Sequence, residues 1–115
     1  MDDKARIEHV LDAIHEVDQY LQDVSYDSFL ANSEKRFATI KQIEIIGEAC
    51  NQISSTVKDA YLEIEWRSIR GLRNISIHEY FGVNFQLVWE IAKNDLPVLK
   101  DQFHKVREEL NKLRS

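Results

Sequence analysis

A chain of 115 residues with 43% hydrophobic and 30% charged side chains has the size and balance of one globular domain, long enough to bury a core without staples. Its net charge of −5 argues against a general nucleic-acid binder, and its single cysteine, Cys50, excludes an internal disulfide and suits a reducing compartment. No signal peptide and no apolar run of membrane length stands out, so a cytoplasmic protein without a membrane partner is expected.

Three glycines, one proline and no sustained strand-like alternation leave helices as the expected element throughout. The first spans about Asp3 to Val24, with Ile7, Val10 or Leu11, Ile14, Val17 and Leu21 on one apolar stripe. Tyr26, Phe29 and Leu30 form a short second helix that closes around Asn32. Ser33, followed by Glu34 and Lys35, is the expected cap of a third, whose stripe of Phe37, Ile40, Ile43, Ile46 or Gly47, Cys50 and Ile53 runs to about Ser55. Apolar neighbours mark Cys50 as a buried structural thiol. Residues 54 to 65 read as an irregular connection. A fourth helix starts near Glu65 or Trp66 and heads toward His78, with Gly71 inside it as a sign of close packing or a bend. Gly82-Val83-Asn84 reads as a turn and cap. The last helix covers about Asn84 to Leu113, kinked by Pro97 and striped by Leu96, Leu99, Phe103, Val106, Leu110 and Leu113. The expected architecture is a single domain over residues 1–115, an all-α up-and-down bundle of about four major helices plus a short one. The last stripe has more apolar length than a small bundle needs, which fits dimerisation and fits surplus core equally.

Chemistry concentrates after Trp66. Residues 66 to 78 hold Arg67, Arg70 and Arg73 and no acid, a +3 window in an acidic chain. Three arginines paired with acids on neighbouring helices would look the same by charge alone. His78 adds a group that titrates near neutrality, and Asn74 a neutral donor. On an unbroken helix Arg73 and His78 would be offset by about 140° and roughly 7.5 Å, so convergence requires the helix to loosen after Asn74 or Ser76. Glu44 and Glu48, one turn apart among isoleucines, either orient Arg70, Arg73 or His78 or simply face water. His9, His15 and His104 lack ligand-spaced companions and read as surface residues. No metal-ligand spacing and no Gly-rich phosphate loop is present, so neither a metal nor a cofactor is expected.

The stretch Arg73-Asn74-x-x-x-His78-x-Tyr80 resembles the R-x4-6-H motif of HEPN ribonucleases, and the tyrosine two residues after the histidine is similar to HepT-like toxins of that superfamily. The resemblance extends through Ile43-Glu-Ile-Ile-Gly-Glu-Ala49, Trp66, Tyr80-Phe-Gly-Val-Asn84, Val88-Trp89 and Asp95-Leu-Pro-Val-Leu99. It implies a dimer with two motif copies in one cleft and metal-independent cleavage of RNA. It also implies a toxin role beside a MntA-like minimal nucleotidyltransferase antitoxin that transfers AMP onto the motif tyrosine. Carried to this chain, Arg73 and His78 are catalytic, Asn74 and Tyr80 support them, Arg67 and Arg70 hold RNA, and Tyr80 accepts AMP. The alternative is a non-catalytic helical partner, or substrate-binding subunit, of a separate nucleotidyltransferase.

Overall fold

The computed structural model describes residues 2–75 and 84–113, without the side chains of residues 73 and 74. In chain order the described helices are α1 (Asp3–Tyr20), α2 (Tyr26–Ala31), α3 (Ser33–Gln52), α4 (Ser55–Ala60) and α5 (Trp66–Arg70), the last passing into a 3-10 turn at Gly71–Asn74. After the undescribed segment come α6 (Phe85–Glu90), a π turn at Ile91–Asp95 and α7 (Leu96–Leu113). The fold is all-α, as expected, and no strand occurs among the described residues.

Helix starts follow from short polar side chains. Asp2 accepts a hydrogen bond from the Ala5 amide at 2.8 Å, Ser25 from Ser28 at 3.1 Å, and Asn84 from Leu87 at 3.1 Å. Asn32, not Ser33, caps α3, because its side chain reaches the Lys35 amide at 3.0 Å while Ser33 is already helical. The first helix stops at Tyr20, short of Val24. A turn follows in which Asp23 takes a left-handed φ of 58°, a conformation that interrupts a helix. The connection after α3 contains a short helix after all. Ser54 caps it by accepting from the Val57 amide at 3.3 Å, and both Ser54 groups are held by the Asp3 carboxylate, the amide at 2.8 Å and the hydroxyl at 2.6 Å. This contact ties the start of α1 to the end of α3.

The core is the meeting of three stripes. Ile7, Val10, Ile14, Val17 and Leu21 of α1 and its exit meet Ile40, Ile43, Ile46 and Cys50 of α3, with Leu96, Leu99, Phe103 and Val106 of α7 closing the third side. Phe29 of α2 is fully buried and stacks at 5.2 Å against Trp89. One expected core residue is misplaced: Phe37 is 40% exposed, on the side of α3 about 120° round from Ile43, while Thr39 and Ile40 beside it are fully buried.

The fourth long helix of the sequence reading is not there among the described residues. The α-helix at Trp66 lasts five residues, tightens to 3-10 geometry at Gly71 and ends at Asn74, with Ile75 at φ −80° and ψ 77°. Gly71 is exposed, and a Cβ built on it meets nothing within 4 Å, so it marks a change of helix type and not a close approach. Ahead of Pro97 the helix changes type. The proline offers no amide to the Lys93 carbonyl, and the chain widens into the π turn just before it, the Leu96 amide reaching back to Ile91. From Phe85 to Leu113 this helical run is roughly 43 Å long at 1.5 Å per residue, close to the molecule's longest dimension of 47 Å. Toward its end Leu110 is half-buried and Leu113 82% exposed, so the surplus apolar length lies there.

Candidate functional site

The arginine-bearing segment is fixed from below by its aromatic and aliphatic residues. The Trp66 indole donates to the Tyr61 carbonyl at 2.9 Å, and its ring lies 5.8 Å from that of Phe103 on α7. Ile69 is buried, and Leu72 and Ile75 pack half-buried against the core. Tyr61 is held in turn by donating its hydroxyl to the Glu109 carboxylate, and that hydrogen bond above all pushes the phenol up to about 12, which keeps it a donor. Both α5 and the 3-10 turn pack against α3, so the segment lies along the helix that carries Glu44 and Glu48.

With Trp66 and Ile69 turned inward, helical spacing places Arg67 and Arg70 on the outward flank, and both are exposed. Among the described residues neither is in salt-bridge reach of a carboxylate, so the reading in which they serve only to pair with neighbouring acids is not what is seen for these two. The backbone of Arg73 and Asn74 forms the last part of the 3-10 turn. Because the α-helix has already given way at Gly71, the offset calculated for an unbroken helix does not apply to Arg73 and His78. The Arg73 and Asn74 side chains, His78 and Tyr80 lie outside the described residues, as do pairings of Glu44 or Glu48 with Arg73 or His78. Glu48 accepts a hydrogen bond from Gln52 at 2.9 Å on its own helix, and Glu44 is half-buried. The option that a carboxylate orients Arg70 is not realised among the described residues.

The other titratable groups fall where the sequence put them. His9, His15 and His104 are exposed, and His104 Nδ1 lies 3.0 Å from the Arg107 guanidinium. Cys50 is 1% exposed, and burial pushes its thiol up to about 12. No metal-binding cluster of His, Cys, Asp or Glu occurs among the described residues. A cleft of about 330 Å³ opens on the inner side of α5, between Ile69, Leu72, Leu96 and Leu99. Among the described residues its charged lining is Glu65 and Asp95, which disfavours phosphate, and neither Arg67 nor Arg70 lines it. One surface feature was not legible in advance: Arg36, Phe37 and Phe85 cluster beside Asn84, where the chain re-enters the described structure. The three-residue spacing to Ile40 reads Phe37 into the core stripe. Its one usable signal was the neighbourhood of Arg36 and Lys41, cations that a core face would not carry.

Fold and flank together define an all-helical bundle with a cationic edge running into an Arg–His–Tyr segment. The chain belongs to the HepT-like family, whose model, described as "Ribonuclease HepT-like", matches residues 10–106. It is 37% identical over 101 residues to "Putative RNase MJ1380" of Methanocaldococcus jannaschii, covering 88% of this chain and 93% of that protein. It is 36% identical over 104 residues to "Probable ribonuclease HepT" of Thermococcus cleftensis, covering 90% and 94%. A further M. jannaschii relative, "Gamma-glutamylcyclotransferase and putative RNase MJ0434", is 37% identical over 111 residues; the match takes in 96% of this chain but spans only half of that protein. No solved structure matches. No described helix is long and apolar enough to cross a membrane.

Proposed function

We propose that this protein is a metal-independent endoribonuclease, the toxin of a prokaryotic toxin–antitoxin pair, acting through Arg73 and His78 in a cleft shared by two protomers. Membership of a family described as ribonuclease supports the activity. The observation within this chain that carries the reading is the outward flank of Arg67 and Arg70, exposed and without an acid partner among the described residues, leading directly into the motif. In an otherwise acidic chain it is a place where a phosphate backbone meets favourable charge.

The chemistry needs few parts. An imidazole takes the proton of the ribose 2′-hydroxyl, whose oxygen attacks the adjacent phosphorus. The bond from phosphorus to the 5′-oxygen breaks, and a second proton donor delivers a proton to that leaving oxygen. Arg73 offsets the charge that builds on the phosphate. One chain brings one His78, so a two-fold cleft supplies both base and acid. Asn74 assists as a neutral donor, and Arg67 and Arg70 guide the strand. DNA, lacking the 2′-hydroxyl, resists this route.

Silencing belongs to the same reading. A MntA-like nucleotidyltransferase antitoxin would join the Tyr80 phenolic oxygen to the α-phosphorus of ATP and release pyrophosphate. The attached AMP sets a negative charge and a base where RNA must lie. The test uses purified protein and single-stranded RNA in EDTA. Cutting is expected, with His78→Ala lowering the rate by about 10²- to 10⁴-fold at an unchanged melting temperature. Co-expression with the nucleotidyltransferase should add AMP mass at Tyr80 and abolish cutting. RNA left intact by wild type, alongside tight binding to the nucleotidyltransferase, would instead favour a non-catalytic partner subunit.

A further inference from the structure

The cluster at the N-terminal end of α3 is built unlike a core edge. Phe37 stands 40% exposed, braced edge-on by the Phe85 ring at 6.3 Å and 79°. The Arg36 guanidinium lies 4.7 Å from the centre of the Phe85 ring and 5.9 Å from that of Phe37, and it is tethered by donating to the Leu30 carbonyl. Lys41, exposed, sits one helical turn beyond Phe37 on the same face. From residue 35 to residue 43 the sequence has three cations, Lys35, Arg36 and Lys41, and no carboxylate. Lys35 is drawn away to the Tyr20 carbonyl at 2.8 Å, whereas Arg36, although tethered to the Leu30 carbonyl, keeps its guanidinium beside the ring and Lys41 follows one turn on.

An exposed aromatic face between two cations suits a ligand that is flat, apolar in its rings and negatively charged along its chain. Single-stranded RNA has that chemistry. A second copy of this chain fits less well. An isologous contact centred on Phe37 would set Arg36 and Lys41 against the same cations of the partner. Position favours RNA too. Phe85 is seven positions after His78, and a chain of seven steps spans at most roughly 25 Å, so the platform lies within oligonucleotide reach of the imidazole whatever path the segment takes.

We propose that Phe37, braced by Phe85 and flanked by Arg36 and Lys41, is a stacking platform for an unpaired RNA base a few nucleotides from the scissile phosphate. This rests on the ribonuclease reading above. The test titrates wild type, Phe37→Leu and Phe37→Trp with a non-cleavable 2′-O-methyl oligoadenylate of about ten nucleotides, a length within the range of such sites. Phe37→Leu, which keeps apolar packing but loses the flat ring, should weaken binding by about ten-fold with its melting temperature retained. Phe37→Trp should restore binding, and its added indole fluorescence should be quenched as the oligonucleotide is titrated. Binding by Phe37→Leu equal to wild type, or an indole signal that does not respond, overturns the platform and leaves the ribonuclease standing. A change in oligomeric state with Phe37→Leu assigns the patch to an interface between copies and also overturns it. Wild type that neither binds nor cuts RNA removes the ribonuclease reading and the platform with it.

Discussion

Cys50 shows how burial alone decides reactivity. Its thiol is sealed by the α1–α3 contact, and desolvation holds it near 12 against an ordinary value near 9, with Lys58 opposing only weakly. A thiol reagent at pH 8 should therefore leave the folded protein unlabelled and react at once after denaturation; rapid labelling of the folded state would contradict the packing. The proton linkage has a definite sign. Above pH 9 the unfolded chain loses the thiol proton while the folded chain keeps it, so the unfolded state binds fewer protons and stability falls as pH rises toward 12. Tyr61, held protonated by Glu109, acts in the same direction between about 10 and 12. Denaturant titrations at pH 8 and pH 10.5 should show the loss, and Cys50→Ala should flatten the part that begins near pH 9.

Among the elements, the long stripes were legible because burial on one side imposes a 3.6-residue period that nothing else mimics. The α1 residues from Ile7 to Leu21 and the α7 residues from Leu96 to Val106 are buried as their spacing requires. Short elements were harder. In α4 only Val57 is buried, so no period exists to detect, and its real determinant is the Asp3–Ser54 contact between residues 51 apart in the chain. Phe37 fits the α3 stripe by its spacing to Ile40 but lies about 120° round the helix from Ile43, off the buried face. Of the candidate site, residue types and the charge window could be read directly, whereas the outward aim of Arg67 and Arg70 depends on Trp66 and Ile69 finding the core. Gly71 leaves two readings open, because a glycine in a helix signals either crowding or a change of path and the sequence does not distinguish them; the structure takes the second. Its backbone lies at φ −65° and ψ −19°, open to any residue, with free space where a Cβ would go. Gly71→Ala should thus stabilise the fold by about 0.4–1 kcal/mol through the unfolded chain's lost freedom. Chemical denaturation measures it, and a destabilised variant would mean that the turn needs glycine for a reason beyond its own backbone.

At the scale of the whole molecule the open matter is how many copies make one active unit. A single chain supplies one motif imidazole, while the proposed cleavage needs one group to accept a proton and another to donate one. If both come from His78 across a two-fold axis, a protomer lacking it disables its partner. Wild type mixed with an equal amount of His78→Ala and allowed to exchange subunits gives wild-type pairs in only about one quarter of the dimers. Activity should then fall to roughly a quarter of that of an all-wild-type sample at the same total concentration, since mixed dimers contribute little. Protomers that worked alone would retain about half, because every wild-type chain would stay active whatever its neighbour. Size-exclusion and exchange controls on the same mixture confirm that pairs have re-formed. A one-half result with proven exchange would place both proton-transfer groups within one chain and turn attention to a second group on the motif segment itself.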